Sequence, residues 1–127
     1  MPEIELKPQL MRRVTAHVRP SNFIVPQPGE PITHEFMEPD ATTIYYFSAQ
    51  WCAPCQQYGP VLEQIAREFP DVTFYKLDVD NYSAGSMAMS LGLRSVPVLY
   101  MVSDKGQFYL KGTQDGDAVR AWITTNG

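Results

Sequence analysis

Cys52 and Cys55 are the only cysteines among 127 residues, and two residues separate them in the run Trp51-Cys52-Ala53-Pro54-Cys55. Two thiols at that spacing can exchange with a disulfide, supply half of a zinc site, or form a structural pair in a non-enzymatic module. Zinc usually takes four ligands. Only His17 and His34 could complete a Cys/His set. Both lie upstream at unsuitable spacing, so no metal site is expected, and the two histidines read as ordinary surface residues. Exchange chemistry is the reading the local sequence favours.

That chemistry depends on where the sulfurs sit. Thr42 to Ala49 (TTIYYFSA) is β-branched and aromatic with no charge, the pattern of a buried central strand. Cys55, Tyr58, Leu62, Ile65, Ala66 and Phe69 then recur at helical spacing. A strand running into this helix places Cys52 at the helix N-terminus, where unpaired N–H groups and the positive end of the dipole favour thiolate. The thiolate is the nucleophile. Cys55, about one turn on, can resolve the mixed disulfide that Cys52 makes. Pro54 falls in the first turn, where a missing N–H is harmless. Trp51 stands before the site as an apolar shoulder. Pro60 should kink the helix, and Pro70 should end it.

The remaining elements follow in order. Val72 to Val79 alternates as a strand. Ser83 to Leu91 reads as a short helix closed by Gly92. Val96 to Val102 and Gln107 to Lys111 flank Asp104-Lys105-Gly106, a hairpin turn. Asp117 to Thr124 is a last helix. Upstream, Asn22 to Val25 suggests a strand, Thr33 to Met37 a short helix, and Pro8 to Val18 either a helix or a partly ordered tail.

The chain length suits one domain with its own hydrophobic core. The net charge of −4 offers no positive field for nucleic acid. No apolar run is long enough to span a bilayer, and the first residues lack the apolar stretch of a secretory signal. These features point to a cytoplasmic protein. Residues 1–20 carry four basic and two acidic side chains, net +2, against six basic and twelve acidic elsewhere, net −6. The contrast divides the chain into an N-terminal extension, 1–20, and a domain, 21–127.

Ala49, Trp51, Cys52, Pro54, Cys55 and Pro60, with Val96-Pro97 further on, resemble thioredoxin. So do Phe74 to Asp80, a strand ending in acidic residues, Gly92 and Arg94, Gly106 in the hairpin, and Gly112 before the last helix. The resemblance covers about residues 42–127, extends loosely over 22–41 and stops short of 1–20. It implies an α/β thioredoxin fold, a central mixed sheet flanked by helices. It implies a cis peptide bond at Pro97, packed beside the cysteines, and a Val96 whose backbone pairs with substrate. With Trp51, Gly92 and Gly112 these residues would form the docking rim. Ala53, Pro54, Tyr46 and Lys76 would surround the reacting sulfurs. No cofactor is implied. The implied partners are disulfide-bearing proteins and a thioredoxin reductase or equivalent donor, acting on a monomer.

The chain departs from that pattern where it matters. Tyr46 stands where many relatives have a buried aspartate, and Ser48 where a second aromatic is common. A phenol cannot serve as a carboxylate base near neutral pH. Tyr46 is expected to be buried with its hydroxyl bonded, Lys76 being the favoured partner. Ala53 replaces a commoner glycine, a mild change in a helix, and Gln50 is uncharged where acidic residues are frequent. The proline before Cys55, rather than a histidine, resembles the reducing thioredoxins more than their oxidising or isomerising relatives. The competing function is a thioredoxin-fold binding module or assembly subunit, with the basic extension as its docking element.

Overall fold

A computed structural model describes residues 18–30 and 41–127. The short helix expected over Thr33 to Met37, the segment Pro8 to Val18 up to its last residue, His17 and His34 lie outside the described residues. Five strands and three helices follow one another: β1 (Phe23–Ile24), β2 (Thr42–Ser48), α1 (Ala53–Glu68), β3 (Val72–Asp78), α2 (Tyr82–Ser90), β4 (Val98–Ser103), β5 (Gly106–Lys111) and α3 (Gly116–Asn126).

The strands form one mixed sheet in the order β1-β3-β2-β4-β5. β1, β3 and β2 run parallel. β4 and β5 are antiparallel, because a tight turn at Asp104 and Lys105 can only return the chain beside itself. β2 is central and almost wholly buried, which is why its sequence carries no charge.

Period-2 alternation sends successive side chains of β2 to opposite faces. Ile44 and Tyr46 join Tyr58, Leu62, Ile65, Phe74, Leu99, Met101, Val119 and Ile123 in the larger core, under α1 and α3. Tyr45 and Phe47 face the other way, into a smaller cluster with Leu77, Ala84, Met87 and Tyr100. On that face Tyr75, Tyr45, Tyr100 and Tyr109 stand in register across four neighbouring strands. Their successive ring centroids are 5.5, 5.9 and 5.0 Å apart, a spacing at which aromatic pairs add to burial. Burial first, then the neighbouring phenols of Tyr75 and Tyr100, push the Tyr45 hydroxyl up to about 12.

Two departures from the expected boundaries have physical causes. β4 begins at Val98 rather than Val96, because the Val96–Pro97 bond is cis and proline has no N–H for the ladder. β1 is two residues long and pairs only with β3. Asn22, just ahead of it, acts as a clip. Its side-chain amide donates to the carbonyls of Ala66, Phe69 and Val72 at 2.8, 3.0 and 2.8 Å. It thereby ties the end of α1 to the start of β3. α1 itself runs through Pro60 as one helix.

Candidate functional site

The strand β2 ends at Ser48, and three residues of turn carry the chain past Trp51 into α1. Cys52 is the N-cap of that helix, in extended backbone conformation. Its sulfur occupies the place of a capping oxygen and accepts the N–H of Cys55 at 3.2 Å. A sulfur held there sees the unpaired donors of the first turn, which stabilise negative charge. No acidic residue in the first turn opposes them. Cys52 and Cys55 form a disulfide with their Cα atoms 5.2 Å apart. Cys55 is completely buried and Cys52 is 6% exposed, so only Cys52 offers an edge to solvent.

Ala49 packs against both cysteines, with Val79 and Val96 alongside. The Val96 carbonyl oxygen lies 3.9 Å from the Cys52 sulfur. Pro97 is buried behind it, and its carbonyl accepts the Gly112 N–H at 2.9 Å. Gly112 takes φ +77°, a left-handed conformation that favours glycine. It thereby ties the turn after β5 to the proline loop. Gly92 also has a positive φ, +73°. It lies one residue beyond the C-cap of α2, and its N–H returns to the Met89 carbonyl.

Trp51 is 70% exposed, and its indole N–H donates to Asp80 at 3.0 Å. Beside it lies an apolar cleft of about 280 Å³, lined by Trp51, Val79, Met89, Leu93, Arg94 and Val96 among others. Ala53 and Pro54 are exposed on the first turn of α1. The structure thus brings Trp51, Ala53, Pro54, Val96, Pro97 and Gly112 together around the two sulfurs, and leaves Gly92 at a helix end.

Tyr46 is buried beneath α1 as expected, but its hydrogen-bond partner differs. The hydroxyl donates to the backbone carbonyl of Cys55 at 2.5 Å, not to Lys76. Lys76 is the neighbour of Tyr46 across the β2–β3 pairing. A four-carbon stem carries its ammonium away, to within 4.0 Å of where a Cβ on Gly59 would lie. No acidic partner holds it among the described residues. Burial first, and the Tyr58 phenol second, push the Tyr46 hydroxyl well above its ordinary value. The Tyr58 ring meets Tyr46 edge-on at 5.8 Å.

Ser48 is a small side chain at the end of β2. A cavity of about 310 Å³ lies there, lined by Ser48, Ala49, Gln56, Lys76, Asp78 and Asn81 among others. Two partners of the site escaped the sequence reading. Asp80 was visible only as part of an acidic strand end. Gln56, whose amide donates to the Ala49 carbonyl at 3.0 Å, carried no signal. Among the described residues, no group of three or more His, Cys, Asp or Glu side chains could hold a metal ion.

A dithiol pair with one edge exposed, capping a helix beside a cis-proline, on a mixed five-stranded sheet, defines a class of disulfide-exchanging folds. The thioredoxin family model matches residues 30–125, and the chain belongs to the thioredoxin family. Thioredoxin O1, mitochondrial, of Arabidopsis thaliana is 33% identical over 82 residues, which make up 65% of this chain and 39% of that protein. The chain therefore spans about two-fifths of the length of that curated relative. The crystal structure of thioredoxin O2 from Arabidopsis thaliana in the oxidized state superposes with a TM-score of 0.68 at 25% identity. The match covers 83% of this chain and 94% of that one. A mutant thioredoxin from Halobacterium salinarum gives a TM-score of 0.61 at 35% identity, covering 68% of this chain and 75% of that one.

Proposed function

We propose that the protein is a thiol–disulfide oxidoreductase that reduces protein disulfides through Cys52 and Cys55. One observation carries this reading: the Cys52 sulfur caps α1, accepts the Cys55 N–H and alone of the pair reaches the surface. In the reduced protein the Cys52 thiolate attacks one sulfur of a substrate disulfide. The other substrate sulfur leaves with the electron pair and takes up a proton. Cys55 then loses its proton and attacks the Cys52 sulfur. The second substrate thiol departs, and the Cys52–Cys55 disulfide remains.

The substrate chain lies across Trp51 and the apolar cleft beside it, with its backbone against Val96 and Pro97. That geometry is a strand addition, in which main-chain bonds hold the substrate and the cleft selects a side chain. Gly112, tied to the Pro97 carbonyl, completes the rim. A thioredoxin reductase or equivalent donor returns the pair to the dithiol form. The protein works as a monomer. Placement in the cytoplasm rests on composition and on the pairing of both cysteines in one redox motif rather than in structural staples.

The test is reduction of insulin by the full chain, with dithiothreitol and then with a thioredoxin reductase as electron source. Accelerated precipitation of the insulin B chain, lost in Cys52→Ser, is the expected result. Equal rates with and without the protein would remove the oxidoreductase reading.

A further inference from the structure

The resolving sulfur presents a chemical problem. Cys55 is wholly enclosed, and burial in apolar surroundings raises the pKa of a thiol. Yet Cys55 must lose a proton before it can attack Cys52. Apolar neighbours Ala49, Val79 and Val96 pack against it, and the titratable groups on the surrounding elements are few. From β2 comes Tyr46, whose proton is already committed to the Cys55 carbonyl. From α1 comes Tyr58, edge-on to Tyr46 and pushed up to about 12 by burial. From β3 comes the Lys76 ammonium, beside Gly59. The nearby carboxylates among the described residues make no hydrogen bond to Cys55, although Glu30 and Asp78 line the cavity behind Ser48. Asp80 accepts the Trp51 indole N–H, and Asp78 accepts the N–H of Asp80. Arg94 lines the opposite, apolar cleft.

Solvent has an approach through residues next to the cysteines. The cavity behind Ser48 is walled by Ala49 and Gln56. Ala49 packs against both cysteines, and Gln56 is the next residue to Cys55. Lys76, Asp78, Asn81 and Ser83 line the same space, so water can enter it.

We infer that Tyr46 is a positioning residue for the resolving half of the exchange, and that the Cys55 proton leaves to water in this cavity rather than directly to a carboxylate of the described residues. The Tyr46 hydroxyl holds the Cys55 carbonyl and so fixes the first turn of α1, which aims the sulfur at Cys52. Hydroxide removes the Cys55 proton and becomes water. The Cys55 thiolate forms a bond to the Cys52 sulfur, the bond from Cys52 to the substrate sulfur breaks, and that sulfur leaves with the electron pair. This rests on the proposed exchange function, and adds to it the route of one proton and the task of one hydroxyl.

The experiment mixes the reduced full chain with an aromatic disulfide such as dithiobis(nitrobenzoate), whose released thiolate is coloured. Attack by Cys52 gives a first phase whose rate scales with reagent. Resolution by Cys55 gives a second phase that does not. With hydroxide as base, the second phase rises about tenfold per pH unit up to the pKa of the Cys55 thiol, which lies at or above roughly 8.5. A protein carboxylate would instead make the profile level off above its own, lower pKa, and a levelled profile below about pH 7 overturns the solvent route.

Tyr46→Phe keeps the ring and removes the hydroxyl. It should slow the second phase about three- to tenfold, the effect of one lost hydrogen bond. The first phase and the pH slope should stay unchanged. An unaltered second phase overturns the positioning role. So does loss of the fold, since a hydroxyl that only aims a sulfur is not needed for folding. If no first phase appears at all, the exchange function itself fails. A first phase followed by a levelled second phase refutes only this inference.

Discussion

Replacing Tyr46 by aspartate tests both the packing and the proton chemistry of the site. The side chain is wholly buried, meets Tyr58 edge-on and donates to the Cys55 carbonyl. Removing most of a buried ring from such a site costs about 3–5 kcal/mol through lost contacts and the cavity left behind. A domain of this size has a net stability of roughly 5–15 kcal/mol, so the variant folds but melts on the order of 10–20 °C lower. The new carboxyl is desolvated, which raises its pKa above the roughly 3.9 it has in the unfolded chain. Between the two values the native state binds more protons than the unfolded one, so stability falls as pH rises through that window. The melting deficit is therefore smallest below about pH 4 and reaches its full size once the folded-state carboxyl ionises. Lys76, with no acidic partner among the described residues, is the cation able to keep the group ionised. An ionised carboxylate beside Cys55 supplies a base where the described residues offer that cysteine no hydrogen-bonded one. The second phase of aromatic thiolate release should then speed up near neutral pH and lose its steep pH slope. The assays are thermal melts across pH and the two-phase stopped-flow measurement. A folded Tyr46→Asp protein with an unchanged or slower second phase, and an unchanged slope, refutes the reasoning.

Three further outcomes are expected. Cys55→Ser accumulates mixed disulfides with substrate through Cys52, whereas Cys52→Ser accumulates none. Faster alkylation of Cys55 than of Cys52 in the reduced protein would reverse the two roles. A chain beginning at Ser21 keeps insulin reduction within a few-fold, although it loses the Val18 carbonyl that accepts from Arg67 at 2.6 Å; a chain that no longer folds would place the extension inside the domain. Asn22→Ala removes the clip to Ala66, Phe69 and Val72 and lowers stability by about 1–3 kcal/mol in denaturant unfolding, because it strips partners from partly buried carbonyls. A loss below a few tenths of a kcal/mol would show that water replaces the amide there.

Much of the sheet was legible because its signals are local. The uncharged run from Thr42 to Ser48 could only be a central strand, and Asp104-Lys105-Gly106 could only be a short return. The helix N-cap at Cys52 followed from a strand running directly into a helical repeat. Side-chain partners across the fold were not legible. Lys76 is the partner the sequence favours for Tyr46, and the two do stand opposite each other across the β2–β3 pairing. That pairing says nothing about where a flexible four-carbon stem ends, and the ammonium ends beside α1 rather than at the phenol. The bond from Trp51 to Asp80 joins residues 29 positions apart across two turns. The Asn22 clip spans up to 50 positions. Neither has a periodicity that a sequence could display.

The exchange of a buried carboxylate for a phenol also separates two tasks that a carboxylate would combine. An aspartate behind the resolving cysteine would be a charge, a hydrogen-bond acceptor and a base at once, and its ionisation would alter all three together. The Tyr46 hydroxyl is held neutral by burial through the whole working pH range, so its bond to the Cys55 carbonyl is made at every pH at which the protein acts. Alignment of the sulfur is thus independent of pH, while deprotonation of the sulfur is not. Ser48 follows on the same face of β2, two residues on. Tyr46 fills the space under the first turn of α1, and Ser48 leaves room for solvent beside it. A large aromatic at position 48 would occupy part of the cavity and lengthen the proton's path to water. In this strand the residue that aims Cys55 and the residue that leaves room for its proton are therefore different side chains.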